Sequence, residues 1–471
     1  MPLELHDTLS REVLPVLPMD GQELRYYCCG PTVYGPAHIG NFRSFILQDI
    51  FRRALETSGV KTKHVRNLTD VDDKTIRQSQ EEGVSLSSFT ERWTQRFHQD
   101  SQALNMLAPH EELSAVVHIP EQIALIEMLL EKKHAYQAPD GSVYYDVRSF
   151  PAYGKLSRLA EREITTDQVE RENSDEYERE SAADFALWKA RCSEDGENFW
   201  QSPWGEGRPG WHTECCAMSM KYLGESFDVH SGGVDLVFPH HENEIAQSEV
   251  VTGKPFARHW FHIAHLMVDG KKMSKSLGNL YTLQDIEDQK FSAQELRYVL
   301  LSGSYRQPLN FTFNSLKAAR RALAKLAEFA TKIDFEPSGA GALETNFGPF
   351  QPVQDALLKD LATPEALGRL FKLVHDLSGS VGQAGFEPEK MRKGFQAVCD
   401  SFGIRIFAAK QLEQVAPAAV RELAEKRWEA KRAKDWALAD QLRAEILSEG
   451  WEVKDSKDGY KLNKAVLPAK V

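Results

Sequence analysis

The chain has 471 residues, of which 42% are hydrophobic and 27% are charged, and its formal net charge is −12. These proportions indicate a globular protein of about three domains, and they exclude collagen-like structure and disorder as the main state. The negative charge argues against a protein that coats nucleic acid indiscriminately. Six cysteines are too few for a disulfide scaffold. With no apolar run of membrane-spanning length and no secretory signal, we expect a cytoplasmic protein with reduced thiols. We also expect a monomer, although no sequence feature determines the oligomeric state.

The first predicted structural unit is a strand, a loop and a helix, followed by a second strand. Residues 24–29 are apolar and aromatic, which is typical of a buried strand, and Gly35-Pro36 interrupts the chain after them. A helix is predicted over residues 38–57, where apolar side chains recur every four positions, and a strand over residues 61–67. This succession is a βαβ unit, which predicts a parallel sheet.

Later patterns divide the rest of the chain into an insertion and a helical half. Pro139-Asp140-Gly141 lies between short aromatic segments and predicts a hairpin. Ser292 and Glu295 form a capping box at the start of a helix. Further helices are predicted over residues 353–380, 387–411, 418–432 and 435–448.

The predicted fold class is therefore α/β. It consists of a Rossmann-like parallel-sheet domain split by an insertion, followed by an α-helical bundle and a small C-terminal domain. The predicted boundaries are 1–110 and 205–290 for the two halves of the α/β domain, 111–204 for the insertion, 291–412 for the bundle and 413–471 for the C-terminal region.

A candidate phosphate-binding turn lies between the first strand and the first helix, in the sequence Gly35-Pro36-Ala37-His38-Ile39-Gly40-Asn41. Helix N-termini present free N–H groups, and an imidazole there can hydrogen-bond a phosphate oxygen. Gly40 has no side chain, so it permits the close approach of a nucleotide. The structural alternative is that His38 only caps the helix. The segment does not contain G-x-G-x-x-G, so the dinucleotide fingerprint is absent.

A second candidate motif is Lys271-Lys272-Met273-Ser274-Lys275-Ser276-Leu277-Gly278-Asn279. Ammonium groups on a loop rich in serine and glycine reach the oxygens of a triphosphate and stabilise the charge on departing pyrophosphate. The alternative is a solvated run of charges, which is the usual meaning of lysine-rich stretches. Met273 and two serines interrupt the lysines in a specific order, which favours the phosphate interpretation.

A third group of residues has the side chains of a metal site. His240 and Glu244 are four residues apart, so a helix places both on one face. Together with the thiols of Cys29 and Cys215 they form a donor set that zinc accepts. Spacing alone is a weak signal, because the four residues are spread from position 29 to position 244. Each residue taken singly also has a structural alternative, such as a buried thiol or a capping histidine.

These motifs together resemble the signatures of class I aminoacyl-tRNA synthetases. Residues 272–276 match the KMSKS signature at every position, and residues 38–41 match the HIGH signature except that Asn41 replaces the second histidine. Asn41 still donates a hydrogen bond but carries no charge. Four further segments resemble the cysteinyl-tRNA synthetase family, and the likeness extends over essentially the whole chain. The four segments are residues 29–34, 66–74, 209–215 and 232–244.

The resemblance implies an enzyme that activates L-cysteine with ATP and transfers it to the 3′-terminal adenosine of tRNA(Cys). It implies one zinc ion per chain, which selects the cysteine thiolate, and Mg²⁺ accompanying ATP. The implied zinc ligands are Cys29, Cys215, His240 and Glu244. The implied catalytic residues are His38, Asn41, Lys272 and Lys275, and the implied ATP-binding residues are these four with Gly40 and Asp235. The residues expected around the cysteine are Thr32, Thr69 and Trp211.

The resemblance also implies that the C-terminal region binds the anticodon. Trp428, Trp436 and Trp451 lie among lysines and arginines there, and aromatic side chains stack on the bases of single-stranded RNA. The same tryptophans equally suit the core of a small domain.

Two other functions are compatible with part of the pattern. A synthetase-derived ligase that joins activated cysteine to an amino sugar shares the N-terminal part but has no anticodon domain, and the predicted helices after Ala418 argue against it. A non-catalytic RNA-binding paralogue has no chemical need for an intact KMSKS segment or for a full set of zinc ligands.

Overall fold

The computed structural model describes residues 2–159, 184–274, 277–338, 341–406, 418–433, 435–456 and 459–464. Lys275 and Ser276 of the KMSKS segment lie outside these residues. The chain forms two compact units, of which one comprises Met1–Leu323 with Ser338–Arg405 and the other Ala324–Pro337 with Ile406–Val471. Among the described helices, none has the length and apolar character needed to cross a membrane.

The helices and strands are numbered in chain order. The chain begins with β1 (Glu4–His6), β2 (Val13–Pro15), β3 (Glu23–Cys28), α1 (Ile39–Thr57), β4 (Lys61–Leu68), α2 (Asp73–Glu81), α3 (Leu86–Ala103), β5 (Glu111–Ser114) and α4 (Ile119–Glu131). It continues with β6 (Ala135–Gln137), β7 (Val143–Tyr145), β8 (Phe185–Ala190), β9 (Trp200–Ser202), β10 (Gly205–Pro209), α5 (Trp211–Leu223), β11 (Phe227–Gly233), α6 (His240–Thr252) and β12 (Ala257–Ile263).

The second half of the chain is mainly helical. It contains β13 (Leu266–Val268), β14 (Lys271–Lys272), α7 (Leu283–Asp288), α8 (Ala293–Leu301), β15 (Leu309–Phe311), α9 (Phe313–Lys332), α10 (Gln351–Leu357), α11 (Thr363–Ser378) and α12 (Pro388–Phe402). The last elements are α13 (Ala418–Arg432), α14 (Trp436–Ser448), β16 (Trp451–Ser456) and β17 (Gly459–Lys464).

A parallel sheet with the strand order β12-β11-β3-β4-β5 lies at the centre of the first unit. Tyr26 and Tyr27 are neighbours in β3 and both are fully buried. Because neighbouring strand residues point to opposite faces, both faces of this strand are covered. The chain first builds the sheet outward from β3 through β4 to β5 and then adds β11 and β12 on the other side of β3. Such a reversal creates a crevice at the carboxyl ends of the strands, and the predicted Rossmann-like fold is confirmed.

The insertion forms an antiparallel sheet with the order β6-β7-β8-β10-β9. The predicted hairpin joins β6 to β7, and Gly141 has the positive φ of 96° that its turn requires. Two observations differ from the predicted boundaries. Strand β5 belongs to the parallel sheet although it follows residue 110, and β10 extends the insertion past residue 204. Both strands are too short to show an alternating apolar pattern in the sequence.

In the helical part of the chain, one predicted helix start is confirmed, and two observed helices are shorter than predicted. Ser292 caps α8, and its side chain accepts a hydrogen bond from the backbone N–H of Glu295 as predicted. The single helix predicted over residues 353–380 is wrong, because the chain breaks at Asp360 and Leu361, which both have positive φ. Pro at the start of α11 favours a new helix at this point. Helix α12 ends at a left-handed Gly403, earlier than the predicted residue 411.

The C-terminal part of the second unit packs α13 and α14 against the hairpin of β16 and β17. Its small core consists of Val420, Ala424, Ile446, Trp451 and Val453. The two helices are confirmed, and the hairpin is an element that the sequence analysis missed. Trp451 is therefore a core residue and is removed from the set of RNA-stacking candidates.

Candidate active site

The N-terminus of α1 carries the HIGH segment in a reciprocal cap. The backbone N–H of Asn41 donates to His38 Nδ1 at 3.2 Å, and the backbone N–H of His38 donates to Asn41 Oδ1 at 3.1 Å. His38 therefore does cap helix α1, as the structural alternative proposed. Asn41 replaces the second histidine of the signature and closes this cap with its short amide.

The HIGH and KMSKS segments are in contact at Gly40. A Cβ atom added to Gly40 would lie 3.1 Å from Met273 Sδ and 2.9 Å from His38 Nδ1, so this position has little room for a side chain. Asn279 holds the loop, because its side chain accepts from the Ser274 N–H at 2.8 Å and donates to the Lys272 carbonyl at 3.1 Å. Lys272 is exposed in β14.

A cluster of buried metal-ligand side chains lies at the carboxyl ends of β3 and β11. The ligand atoms of Cys29, His240, His241 and Glu244 all lie within 4.8 Å of one another. Cys29 directly follows β3, and its Sγ is 3.2 Å from His241 Nε2. His240 and Glu244 share one face of α6, as predicted, with His240 Nε2 3.0 Å from Glu244 Oε1. The structure therefore contains a candidate metal site.

The remaining predicted ligand, Cys215, lies in α5 beside this cluster. Its thiol is within hydrogen-bonding reach of Cys29 and His240. Burial raises the pKa of Cys215, but the hydrogen bond to Cys29 and the nearby His240 lower it to about 6. Burial and the neighbouring Cys215 raise the pKa of Cys29. Three of the four predicted ligands thus come together with His241 as a further donor, and Cys215 lies beside them.

Two residues of the cluster, His240 and Glu244, form a buried ion pair. Burial opposes ionisation of Glu244, but the charges and hydrogen bonds of His230 and His240 lower its pKa to about 2. Burial lowers the pKa of His240, but Glu244 and the bond to Cys215 raise it to about 10. The cluster thus brings a carboxyl group, a thiol and an imidazole together, and a metal would bind these donor types in their deprotonated forms.

Two histidines that the sequence analysis did not single out lie behind the ligands. His230 Nε2 is 2.7 Å from Glu244 Oε2, and His262 Nε2 is 2.7 Å from His241 Nδ1. Hydrogen bonds of this kind orient ligand side chains. A Cβ atom on Gly232 would lie 2.9 Å from His241 Cε1, so the glycine allows the ring to approach the strand.

The residues predicted around the amino acid lie next to the cluster. The ring of Trp211 stacks on that of His240, with centroids 4.1 Å apart. The Thr69 hydroxyl donates to the buried Glu214 carboxyl, and Thr32 and Thr69 form a parallel backbone bridge. Asp235 is exposed in a short 3₁₀ helix after β11, at the same sheet edge.

Comparison with known proteins agrees with this arrangement. The family described as "tRNA synthetases class I (C) catalytic domain" matches residues 15–321. A cysteine–tRNA ligase of Opitutus terrae is 52% identical over 472 residues, which cover 99% of this chain and 100% of the relative. The chain belongs to the cysteine–tRNA ligase family.

A second relative and a solved structure extend this result. The cysteine–tRNA ligase family member from Chlamydia muridarum is 41% identical and covers 98% of this chain and 100% of its own length. A Mycobacterium tuberculosis methionyl-tRNA synthetase in complex with methionyl-adenylate has a TM-score of 0.56 at 14% identity, over 81% of this chain and 89% of that chain. The low identity means that this likeness concerns the fold alone.

Proposed function

We propose that this protein is a cysteine–tRNA ligase. The carboxylate of L-cysteine attacks the α-phosphate of ATP, which gives cysteinyl-adenylate and pyrophosphate. A ribose hydroxyl of the terminal adenosine of tRNA(Cys) then takes the acyl group and AMP leaves. The observation that carries the proposal is the buried cluster of Cys29, His240 and Glu244 at the crevice where α1 also begins. The match to a cysteine–tRNA ligase along the whole chain supports tRNA rather than an amino sugar as the acceptor.

The cluster suits one zinc ion, since its donors are thiol, imidazole and carboxylate groups shielded from water. Cys29, Cys215, His240 and Glu244 would hold the ion, and His241 is the alternative to Cys215. When bound, zinc supplies a Lewis acid that prefers a thiolate to a hydroxyl group. Trp211 and Thr69 then border the position of the cysteine, because they contact His240 and the residue before Cys215.

The two signatures bind ATP in this proposal. His38 and the positive end of the α1 helix dipole attract the α-phosphate, and Lys272 and Lys275 hold the phosphates that leave as pyrophosphate. Gly40 and Asn41 shape the turn under the nucleotide, and ATP enters with Mg²⁺. Asp235 binds the adenosine ribose from the end of β11.

The amino acid and the reaction are tested by ATP–pyrophosphate exchange with cysteine and with serine. Shape alone separates such similar amino acids by only about 10 to 200-fold. We expect a larger ratio of kcat/KM for cysteine over serine with bound zinc, and tRNA-dependent release of AMP. Equal exchange with the two amino acids would contradict the assigned substrate.

Zinc affinity is expected to rise with pH. The pKa values of Glu244 and Cys215 are lowered by their neighbours despite burial, whereas that of His240 is raised by Glu244 and that of Cys29 by burial, so His240 and Cys29 hold their protons to higher pH. Zinc binding must release these protons, so affinity increases by up to about 10²-fold per pH unit from pH 7 to 9. Chelator competition at three pH values measures this slope. Cys216→Ser is the control with an unchanged slope, and a pH-independent affinity would refute the assignment of protonation states.

The C-terminal part of the second unit is proposed to bind the anticodon. Trp436 is 58% exposed at the start of α14, whereas Trp451 lies in the core. An exposed indole ring is available for stacking on a base, which contributes about 1–3 kcal/mol. Trp436→Ala should therefore raise the KM for tRNA about tenfold or more and leave cysteine-dependent exchange unchanged.

Leu447→Ala is the matched control for Trp436→Ala, because Leu447 is an exposed apolar residue at the other end of α14. It should change neither KM nor exchange. A parallel decline of exchange and tRNA charging in the Trp436 variant would indicate a purely structural role.

A further inference from the structure

Arg43 lies one helical turn after Ile39 in α1 and is fully buried. Its guanidinium group donates only to backbone carbonyls in the observed contacts. Nε donates to Ala264 at 3.0 Å, and Nη2 donates to Ser304 and Gln307 at 2.9 Å each. Nη1 makes a longer contact of 3.4 Å with the Leu300 carbonyl.

This arrangement differs from that of Arg53, another buried arginine of α1. Arg53 forms an ion pair with Asp49 at 2.8 Å, in addition to its bonds with carbonyls. No carboxylate within the described part of the chain forms an ion pair with Arg43. Burying a charge without a counterion costs free energy. We therefore ask what the hydrogen bonds of the Arg43 guanidinium group hold in place.

Three of the four carbonyls belong to the frame of the loop that carries Lys272, and the fourth, that of Leu300, lies near the end of α8. Ala264 lies between β12 and β13, and its N–H donates to the Tyr305 carbonyl at 2.8 Å. Ser304 and Gln307 form the turn that leads into β15. Strand β13 pairs with β15 on one side and with β14 on the other, and β14 contains Lys272.

The N-terminus of α1 meets the same frame. The N–H of Ile39 donates to the Tyr281 carbonyl at 2.8 Å, and Gly40 lies against Met273. We propose that Arg43 is a positioning residue that fixes the distance between the HIGH turn on α1 and the β13–β15 sheet that carries the KMSKS segment. This inference rests on the proposed function, in which both segments bind one ATP molecule.

The planar guanidinium group is suited to this task because its donors have a fixed fork geometry. A lysine at the same position keeps the charge but has a single nitrogen, which cannot reach carbonyls on both sides of the fork. A displacement of about 1 Å at a reacting group can cost about 10²-fold in rate. Arg43→Lys should therefore affect the chemical step more than the binding of cysteine.

The test compares Arg43→Lys with Arg53→Lys in the full-length zinc-loaded protein. We expect Arg43→Lys to lower kcat of cysteine-dependent ATP–pyrophosphate exchange about 10²-fold, with unchanged zinc content and KM for cysteine. Arg53→Lys should keep kcat even where it lowers the unfolding temperature, because its partners lie away from the loop. If Arg43→Lys does not fold, the same measurements on Arg43→Gln decide the matter.

A double-variant cycle separates positioning from general destabilisation. If Arg43 acts through the loop, Arg43→Lys should cost little additional kcat once Lys272→Ala has removed the ammonium group. Additive losses, an unchanged kcat, or an equal fall in the Arg53 variant would overturn the inference and leave the proposed function standing. Absence of cysteine-dependent exchange in the unaltered protein would overturn the proposed function and this inference with it.

Discussion

Cys215→Ser is expected to lose the bound zinc and nearly all cysteine-dependent ATP–pyrophosphate exchange. Although burial raises the pKa of the Cys215 thiol, hydrogen bonds to Cys29 and His240 lower it below the ordinary value of a thiol, which favours the thiolate form that binds zinc. A hydroxyl group at this position cannot replace a thiolate ligand. In the proposed function the ion holds the cysteine thiolate and not the reacting carboxylate, so its loss weakens cysteine binding. Exchange at subsaturating cysteine should fall about 10³-fold or more, a difference of about 4 kcal/mol. Metal analysis and exchange kinetics measure the two effects.

Cys216→Ser is the matched control, because Cys216 is the next residue of α5 and is equally buried. Its Sγ contacts the backbone carbonyl of Glu244 at 3.7 Å and not the side-chain carboxylate. Burial raises the pKa of the Cys216 thiol. This variant should keep both zinc and exchange activity. His241→Asn tests the alternative ligand, and zinc loss there combined with zinc retention in Cys215→Ser would exchange the roles of these two residues.

Much of the fold was predictable, because its main elements carry strong local signals. The apolar run of β3 and the four-residue period of α1 define the βαβ unit that starts the sheet. The break at Asp360 and Leu361 was not predictable from periodicity, since the apolar pattern continues across it. The hairpin of β16 and β17 was missed although Trp451 and Val453 alternate with polar residues, which is a signal of period two.

The candidate site was predictable in part. Contacts between residues that are far apart in the sequence could not be predicted. Spacing within α6 selected His240 and Glu244 as neighbours, but His241 also lies three residues before Glu244 and shares its side of the helix. Nothing local indicates that Cys29 and Cys215 meet, because the parallel sheet brings β3 and α5 together. The structure shows that Asn41, which departs from the HIGH signature, closes a reciprocal cap with His38, and the sequence alone left the role of Asn41 open.

Lys272→Ala is expected to lower kcat of pyrophosphate exchange about 10²–10³-fold. The lysine lies in β14 beside the segment that contacts Gly40, and the proposed function places its ammonium group near the phosphates of ATP at the start of α1. Negative charge on the leaving pyrophosphate develops in the transition state, so the loss should appear in kcat. The KM for cysteine should change little, because the buried ligand cluster does not include this lysine. Exchange rates at saturating ATP measure the effect.

Lys271→Ala is the matched control for this experiment. Lys271 and Lys272 are both exposed and adjacent in β14, where they pair with Val268 and Met267 respectively. Neighbouring residues of a strand point to opposite sides, so only one of these two lysines can face the nucleotide. Lys271→Ala should therefore keep kcat within about twofold, a difference of less than 0.5 kcal/mol. If both variants lost activity equally, Lys272 would contribute only to a general positive potential, and a specific contact with the leaving phosphates would be refuted.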